Sequence, residues 1–397
     1  MKIAVLISGG VDSAVVVDIL YRQGHELTLF YIKIGMDNDE GDCAYEEDLE
    51  MCSLIASRYQ LPLKIVSLHD EYWEYVMSYA LESVKKGLTP NPDMMCNKFI
   101  KFGFFEERYG KVFDKTATGH YARVEKIDDK YFLCTGVDKV KDQTDFMSAI
   151  TYTQLSHIIF PIGDFSKEEV REMAKKAMLP NAVRKDSQGI CFLGKIDYRD
   201  FISRKLGVKE GEVIDIDSGQ PIGKHRGHWL YTIGQRKGLG LGGGPWFVIR
   251  KDIKRNIIYV SKGYDTPLQY KKEIYLEEIH WITIEPWKSE FLKKLLREGT
   301  DGDNSLEIAF KIRHTPEFTP GILKKTRIGW IIYSSKEIQG VAPGQFATIY
   351  SPDNKLCLGS SMIQNSPEGR NVVVECEELR SSNKTVSNNI CQRGDSK

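Results

Sequence analysis

The sequence predicts an α/β architecture in its first half, a parallel sheet covered on both faces, followed by antiparallel β structure. Three observations carry that expectation. Up to about residue 200, strand-like apolar runs alternate with helical patterns, the order that folds as parallel βαβ units. Residues 220–262 hold nine Lys/Arg against one acid, Asp252, among many glycines. Beyond about residue 270 the apolar runs turn short and alternating, as in "EIYLEEIHWITI" and "GQFATIYS", the pattern of a small antiparallel barrel or sandwich. A chain of 397 residues exceeds what one core organises. The expected units are 1–205, a small basic domain over 206–268, a β domain over 269–376 and a disordered polar tail over 377–397.

In order along the chain, "KIAVLI" reads as a buried strand and "SAVVVDILYRQG" as a helix closed by Gly24. "LTLFYI" is a second strand, "AYEEDLEMCSLIASRYQ" a second helix and "LPLKIVSL" a third strand. Residues 36–50 carry eight carboxylates and no Lys/Arg, which suits a solvated loop leading into that second helix. Ser166 with Glu169 forms a capping-box start for "FSKEEVREMAKKAMLP", and Pro180 marks the stop. Residues 289–304 read as an inserted charged helix and acidic loop.

Composition excludes several classes. Lys+Arg and Asp+Glu both number 55, so no global field draws the chain to nucleic acid or anionic lipid. No secretory signal and no membrane-length apolar run is evident, so a cytoplasmic protein with no membrane partner is expected. Eight scattered cysteines, without CxxC or zinc-finger spacing, read as reduced thiols.

Candidate chemistry begins at "ISGGVDS", residues 7–13, between the first strand and the first helix. Backbone N–H groups of Gly9, Gly10 and Val11 would form an anion nest, and the following helix adds its positive end. Ser8 and Ser13 offer hydroxyls. The Walker lysine and the GxGxxG fingerprint are both absent, so on the glycines alone an ordinary turn and a phosphate loop stand level. Two cysteines have basic neighbours: Cys96 near Lys98 and Lys101, and Cys191 downstream of Arg184 and Lys185. Such neighbours favour a thiolate. Either cysteine alone reads as a small buried apolar residue. The basic, aromatic-bearing stretch 220–262 suits RNA phosphates, the alternative being a solvated hairpin.

The string "SGGVDS" after an amino-terminal strand resembles the PP-loop of ATP pyrophosphatases. Seven ordered strings, "ISGGVDS", "TPNPDMMCNKFIKFG", "TATGHYAR", "KDQTDFM", "RKDSQGICFLG", "YTIGQRKGLGLGG" and "APGQFATIY…CLGSSMI", are together similar to the tRNA-specific 2-thiouridylase family. The resemblance runs from residue 3 to about 363. It implies ATP as the activating nucleotide, bound by Leu6, Ile7, Ser8, Gly9, Gly10, Val11, Asp12, Ser13, Ile32 and Gly119, with Mg²⁺ near Asp12. It implies a wobble uridine of tRNA adenylated on its C2 oxygen. Cys191 would carry a persulfide received from a sulfur-relay donor protein, and Cys96 would be the nucleophile that forms a transient disulfide with it. Asp93 would contact the base or move a proton. Contacts to tRNA would come from Asn91, Pro92, Asp93, His120, Lys141, Asp142, Gln143, Arg313, His314 and Gln345.

Departures from the family pattern are Ala14 in place of a serine, Asp145 where an aromatic is common, and Ser360 and Ser361 in place of glycines. Three competing readings remain. Another PP-loop ATP pyrophosphatase acting on a small metabolite would need neither cysteine. An RNA-binding protein that keeps the loop without turnover would release no pyrophosphate. A redox protein using Cys96 and Cys191 leaves the loop and basic region unexplained.

Overall fold

The computed structural model describes residues 1–34, 42–185, 198–264, 266–296, 305–327 and 329–366. Cys191, the 377–397 segment expected to be a disordered tail, and residues 35–41 and 297–304 lie outside the described residues.

The first half forms as its patterning dictates. Strand β1 (Lys2–Leu6) leads to α1 (Val11–Arg22), β2 (Glu26–Lys33), α2 (Asp42–Tyr59) and β3 (Leu63–Ser67). Gly24 takes φ +75° just beyond α1, the left-handed conformation that ends a helix. With β4 (Lys115–Ala117) added, alternation along the strands serves two cores. Ile3 and Val5 pack on one face with Val15, Val16 and Ile55. Ala4 and Phe30 pack on the other with Tyr72, Ile100 and Phe105.

After β4 the chain makes the hairpin β5 (Ala122–Ile127) and β6 (Lys130–Thr135), then β7 (Ile158–Ile159). The parallel sheet has the order β3-β2-β1-β4-β7, with every pairing parallel. The order turns back between β1 and β4, which makes that junction the switch point where such sheets open a crevice at their strand ends.

The central unit is a four-stranded sheet of β8 (Gly211–Asp215), β9 (Pro221–His225), β10 (Trp246–Asp252) and β11 (Ile257–Lys262), in the order β10-β11-β8-β9. Its small core contains Val213, Val248, Ile258 and Val260. The last unit is antiparallel, built from β12 (Tyr270–Leu276), β13 (His280–Trp281), β14 (Ser305–Lys311), β15 (Thr319–Thr326), β16 (Gly329–Gln339), β17 (Phe346–Tyr350) and β18 (Leu356–Met362).

The boundary expected at 205 does not divide the sheets. Strands β5 and β6 extend the last sheet, because β6 pairs with β18 through Leu133↔Cys357 and Cys134↔Leu356. Phe132 and Cys134 thereby enter the core of the last unit. Of the proposed insertion, Glu290–Leu296 is helical and buries Leu292 and Leu296. Among the described residues no helix is long and apolar enough to cross a membrane.

Candidate active site

Two loops flank the β1/β4 switch point. The first leaves β1. Gly9 sits at φ +73°, and a Cβ there would meet the Asp48 carbonyl oxygen at 2.7 Å, so α2 closes directly over it. Its own carbonyl accepts from Asn181 Nδ2 at 2.9 Å and Arg184 Nη1 at 3.1 Å. Arg184 also pairs with Asp48 at 2.6 Å, so this cation is committed to shaping the loop. Gly10 is the N-cap of α1 and gives no side-chain cap. The first intrahelical bond runs from Ala14 N–H to Gly10 C=O at 3.2 Å. The preceding N–H groups of α1 therefore lack helical acceptors, as an anion site requires.

Ser13 does not present a free hydroxyl to a ligand. It is buried, donates to Gly10 C=O at 3.1 Å and accepts from Ser8 N–H at 3.2 Å. Its role is internal to the turn, whereas Ser8 is exposed. Ile7, Val11 and Ile32 are buried core side chains and Leu6 packs partly buried on the core, so their contribution to a ligand is by backbone or apolar wall. Ala14 is fully buried, so the serine absent there leaves no exposed polar gap.

The second loop leaves β4. A Cβ on Gly119 would stand 2.9 Å from Ser13 N and 3.1 Å from Asp12 C, so only glycine lets this loop lie on the first turn of α1. Beside it, His120 Nδ1 is 2.7 Å from Thr118 Oγ1 and Nε2 is 3.4 Å from Lys101 Nζ. Burial, reinforced by the Lys101 charge, holds the His120 pKa well below the usual imidazole range. A neutral ring that accepts from Lys101 at Nε2 carries its proton on Nδ1 and donates it to Thr118.

Asp12 is the one acidic side chain the loop motif supplies. Both of its oxygens are held by Lys167 Nζ, at 2.7 and 2.9 Å, and Oδ1 also accepts from Tyr121 Oη at 2.9 Å. Lys167 opens the helix Lys167–Lys176, whose Ser166/Glu169 capping box forms as expected. Its backbone N–H is fixed at 2.9 Å on Asp138 Oδ2. Sequence reading missed Lys167, Asn181 and Tyr121; the ordinary-looking "FSKEEVREM" helix gave no signal beyond its cap. Among the described residues no group of three or more His, Cys, Asp or Glu is placed to hold a metal. A lone carboxylate fits Mg²⁺ only in the manner of nucleotide sites, where phosphates and water complete the shell.

Cys96 lies on a different element. Asn91 caps the helical turn Pro92–Met95, its Oδ1 accepting from Met94 N–H at 3.1 Å. The stretch Cys96–Phe104 then continues with π-helical bonding, a widening common at functional sites. Cys96 is buried with Ile100 against the face of the parallel sheet that carries Ile32. Lys101 is also buried and Lys98 partly so, with burial lowering the Lys98 pKa.

Just ahead of Cys96, the three units meet around a cavity of about 450 Å³, a size typical of small-ligand sites. Asn91, Pro92, Asp93, Arg313, His314 and Gln345 all line it, although more than 200 positions separate the first three from the last three. The central unit adds Trp229, Tyr231 and Gln235. Gly344 takes φ +90° close against Thr89, whose N–H donates to Pro343 C=O at 2.8 Å, so the last unit clamps the Pro90–Asp93 segment. Asp145 replaces an aromatic, but the stacking surface is present one residue on. Phe146 lies 4.7 Å from the His314 ring at 30°, while His314 Nδ1 pairs with Asp145 at 3.1 Å.

Of the "KDQ" residues, Lys141 and Gln143 are partly buried and Gln143 Oε1 accepts from Tyr121 N–H at 3.1 Å. Asp142 is a correction. Its side chain and that of Lys311 are each 1% exposed and paired at 3.0 Å. Asp142 also accepts from Gly136 N–H and Thr144 Oγ1. Burial pushes its carboxyl pKa up. It joins the first unit to the last and has no surface to offer RNA. Ser360 and Ser361 are likewise buried, their hydroxyls donating to Ser148 and Glu277 carbonyls at 3.1 and 2.9 Å.

These features define a three-part protein, a parallel α/β domain with an anion-loop crevice joined to two β domains around a shared cavity. Family models match it in the same three parts. They are described as a tRNA methyl transferase HUP domain over residues 1–195, a tRNA methyl transferase PRC-barrel domain over 199–262 and an aminomethyltransferase beta-barrel domain over 271–363. Relatives match over nearly their whole length. The tRNA-specific 2-thiouridylase MnmA of Parabacteroides distasonis is 56% identical over 91% of this chain and 99% of its own. That of Porphyromonas gingivalis strain ATCC 33277 is 54% identical over the same shares. MnmA 2 of Bacteroides fragilis strain YCH46 is 56% identical over 91% of this chain and all of its own. The chain belongs to the tRNA-specific 2-thiouridylase family.

Proposed function

We propose that this protein is an ATP-dependent tRNA sulfurtransferase that replaces the C2 oxygen of a wobble uridine with sulfur. The observation that carries the reading is the cavity between the units. It gathers six of the residues that the family resemblance assigns to RNA, directly before the Cys96 turn. The relatives' names supply the product, since two of the three family models are described by methyl transfer.

The uridine leaves its stack to enter the cavity, with Asn91, Pro92 and Asp93 on one side and Arg313, His314 and Gln345 on the other. ATP lies at the switch-point crevice, its phosphates on the open N–H groups of α1 and near Lys167. A urea-like carbonyl is a poor electrophile, and attack of its oxygen on the α-phosphate makes that oxygen part of a leaving AMP, with pyrophosphate released to the loop. Mg²⁺ on Asp12 and the phosphates would neutralise the charge on pyrophosphate. The terminal sulfur of a Cys191 persulfide, loaded by a donor protein, then bonds to C2 as AMP departs. The Cys96 thiolate attacks Cys191 Sγ, which forms the Cys96–Cys191 disulfide and leaves the outer sulfur on the base. A cellular thiol reductant resets the pair, in keeping with a cytoplasmic enzyme.

Mass spectrometry of tRNA nucleosides from a deletion strain carrying wild type, Cys96→Ser or Cys191→Ser tests this. Wild type restores 2-thiouridine and neither variant does. Thiolated uridine in the Cys191→Ser strain would remove the persulfide role, and a methylated product would favour the alternative transfer.

A further inference from the structure

The central unit carries a second cavity, of about 430 Å³, outside the site described above. Its walls are Arg236, Leu239, Leu241, Pro245, Trp246 and Tyr264, and none of its lining residues is acidic. Tyr264 is 56% exposed. The Arg236 guanidinium lies 5.6 Å from its ring centre, with Nη1 donating to Tyr264 Oη at 2.8 Å. Lys262 Nζ lies 5.8 Å from the Trp246 ring, and the indole is fixed by donating to Gly242 C=O at 2.9 Å. Two ordered aromatic faces backed by two cations are what an unstacked nucleobase and its phosphate need.

The second cavity adjoins the first. Gln235 lines the cavity at the unit junction and Arg236, the next residue, lines this one. Gln235 Nε2 donates to Lys237 C=O at 3.0 Å. Arg199, in the wall of the first cavity, reaches the Lys237 and Gly238 carbonyls at 3.4 Å and lies 5.6 Å from the Tyr231 ring. One short segment therefore forms the partition between two binding spaces.

We propose that the Trp246–Tyr264 cavity binds an unpaired nucleotide that neighbours the reacting uridine in the same RNA loop. It rests on the reading that the first cavity receives that uridine. The second cavity stacks the neighbour and holds its phosphate on Arg236, so the loop is splayed by two captured bases.

The test uses full-length protein and whole tRNA, with binding read by fluorescence anisotropy so that turnover is not needed. Trp246→Ala and Tyr264→Ala each weaken tRNA binding about tenfold or more, while ATP affinity is unchanged. Trp246→Phe retains most of the binding. Abasic substitution beside the target uridine weakens wild type but adds little to Tyr264→Ala. Unchanged binding in Tyr264→Ala, an exposed position whose substitution leaves the fold intact, overturns the proposal, as does full additivity with every abasic position. Failure of wild type to thiolate tRNA would instead overturn the functional reading and leave these binding results standing.

Discussion

Lys167 Nζ bridges both carboxylate oxygens of Asp12, at 2.7 and 2.9 Å, across 155 positions of sequence. The lysine side chain is 12% exposed and the aspartate 30%, so the pair is partly screened but accessible from the crevice. Under the proposed function, triphosphate arriving at the α1 N-terminus would compete with Asp12 for that ammonium and free Asp12 toward a cation. Lys167→Met is expected to weaken ATP binding about tenfold or more, the loss of a charge-assisted hydrogen bond worth about 1.5–3 kcal/mol. Calorimetric titration with ATP and Mg²⁺ measures it. Unaltered affinity would reduce Lys167 to a partner that merely neutralises Asp12.

Two glycines with nearly the same backbone separate strain from contact. Gly9 and Gly24 sit at φ +73° and +75°. A Cβ on Gly24 meets nothing within 4 Å, whereas one on Gly9 meets Asp48 backbone atoms at 2.7 and 2.9 Å. Gly24→Ala is expected to cost about 1–2 kcal/mol, the left-handed penalty alone. Gly9→Ala costs more, because α2 must move, and it also loses ATP binding. Urea midpoints of the two variants give the comparison; equal losses would mean α2 yields freely.

The Asp142–Lys311 pair distinguishes a structural role from an RNA contact. Removing one partner of a buried pair leaves an uncompensated charge, at a cost of about 3–5 kcal/mol. Asp142→Asn and Lys311→Met are each expected to lower the unfolding free energy by that order, read from urea titrations. An Asp142→Leu/Lys311→Met double variant recovers much of it, and its tRNA affinity stays near wild type. A direct RNA contact at Asp142 would show the reverse, with stability kept and affinity lost.

The elements around the loop were legible because alternating and continuous apolar runs report burial directly: Ile3 and Val5 against Ala4 already imply two covered faces. The β5–β6 hairpin reads the same whether its partner strand is its neighbour or β18, so its membership in the last sheet was not readable. Asp142 was assigned to RNA by the family resemblance alone, which carries no information on its burial. Its burial depends on Lys311, far away in sequence, and no local pattern encodes that. Lys167 was hidden for the same reason. The prolines and the motif drew attention to the segment around Asp93 and Cys96, while the cavity that Asp93 lines exists only where three units meet.

Lys251 gives a pH dependence with a defined sign. Its Nζ donates to Tyr231 C=O at 3.0 Å, beneath the wall of the junction cavity. Burial lowers its pKa from 10.5 to about 8. Its charge in turn helps burial to depress nearby His228 to about 4. Between pH 8 and 10.5 the unfolded chain keeps a proton on Lys251 that the folded chain has released, so this group's contribution to stability rises with pH across that window. Below pH 8 both states are protonated and the folded state bears the full desolvation cost. The stability difference between wild type and Lys251→Met, from urea titrations at pH 7.5 and 9.5, is therefore expected to shift in favour of wild type at the higher pH. Parallel pH profiles for the two proteins would show that the ammonium stays solvated and that its bond to Tyr231 does not depend on burial.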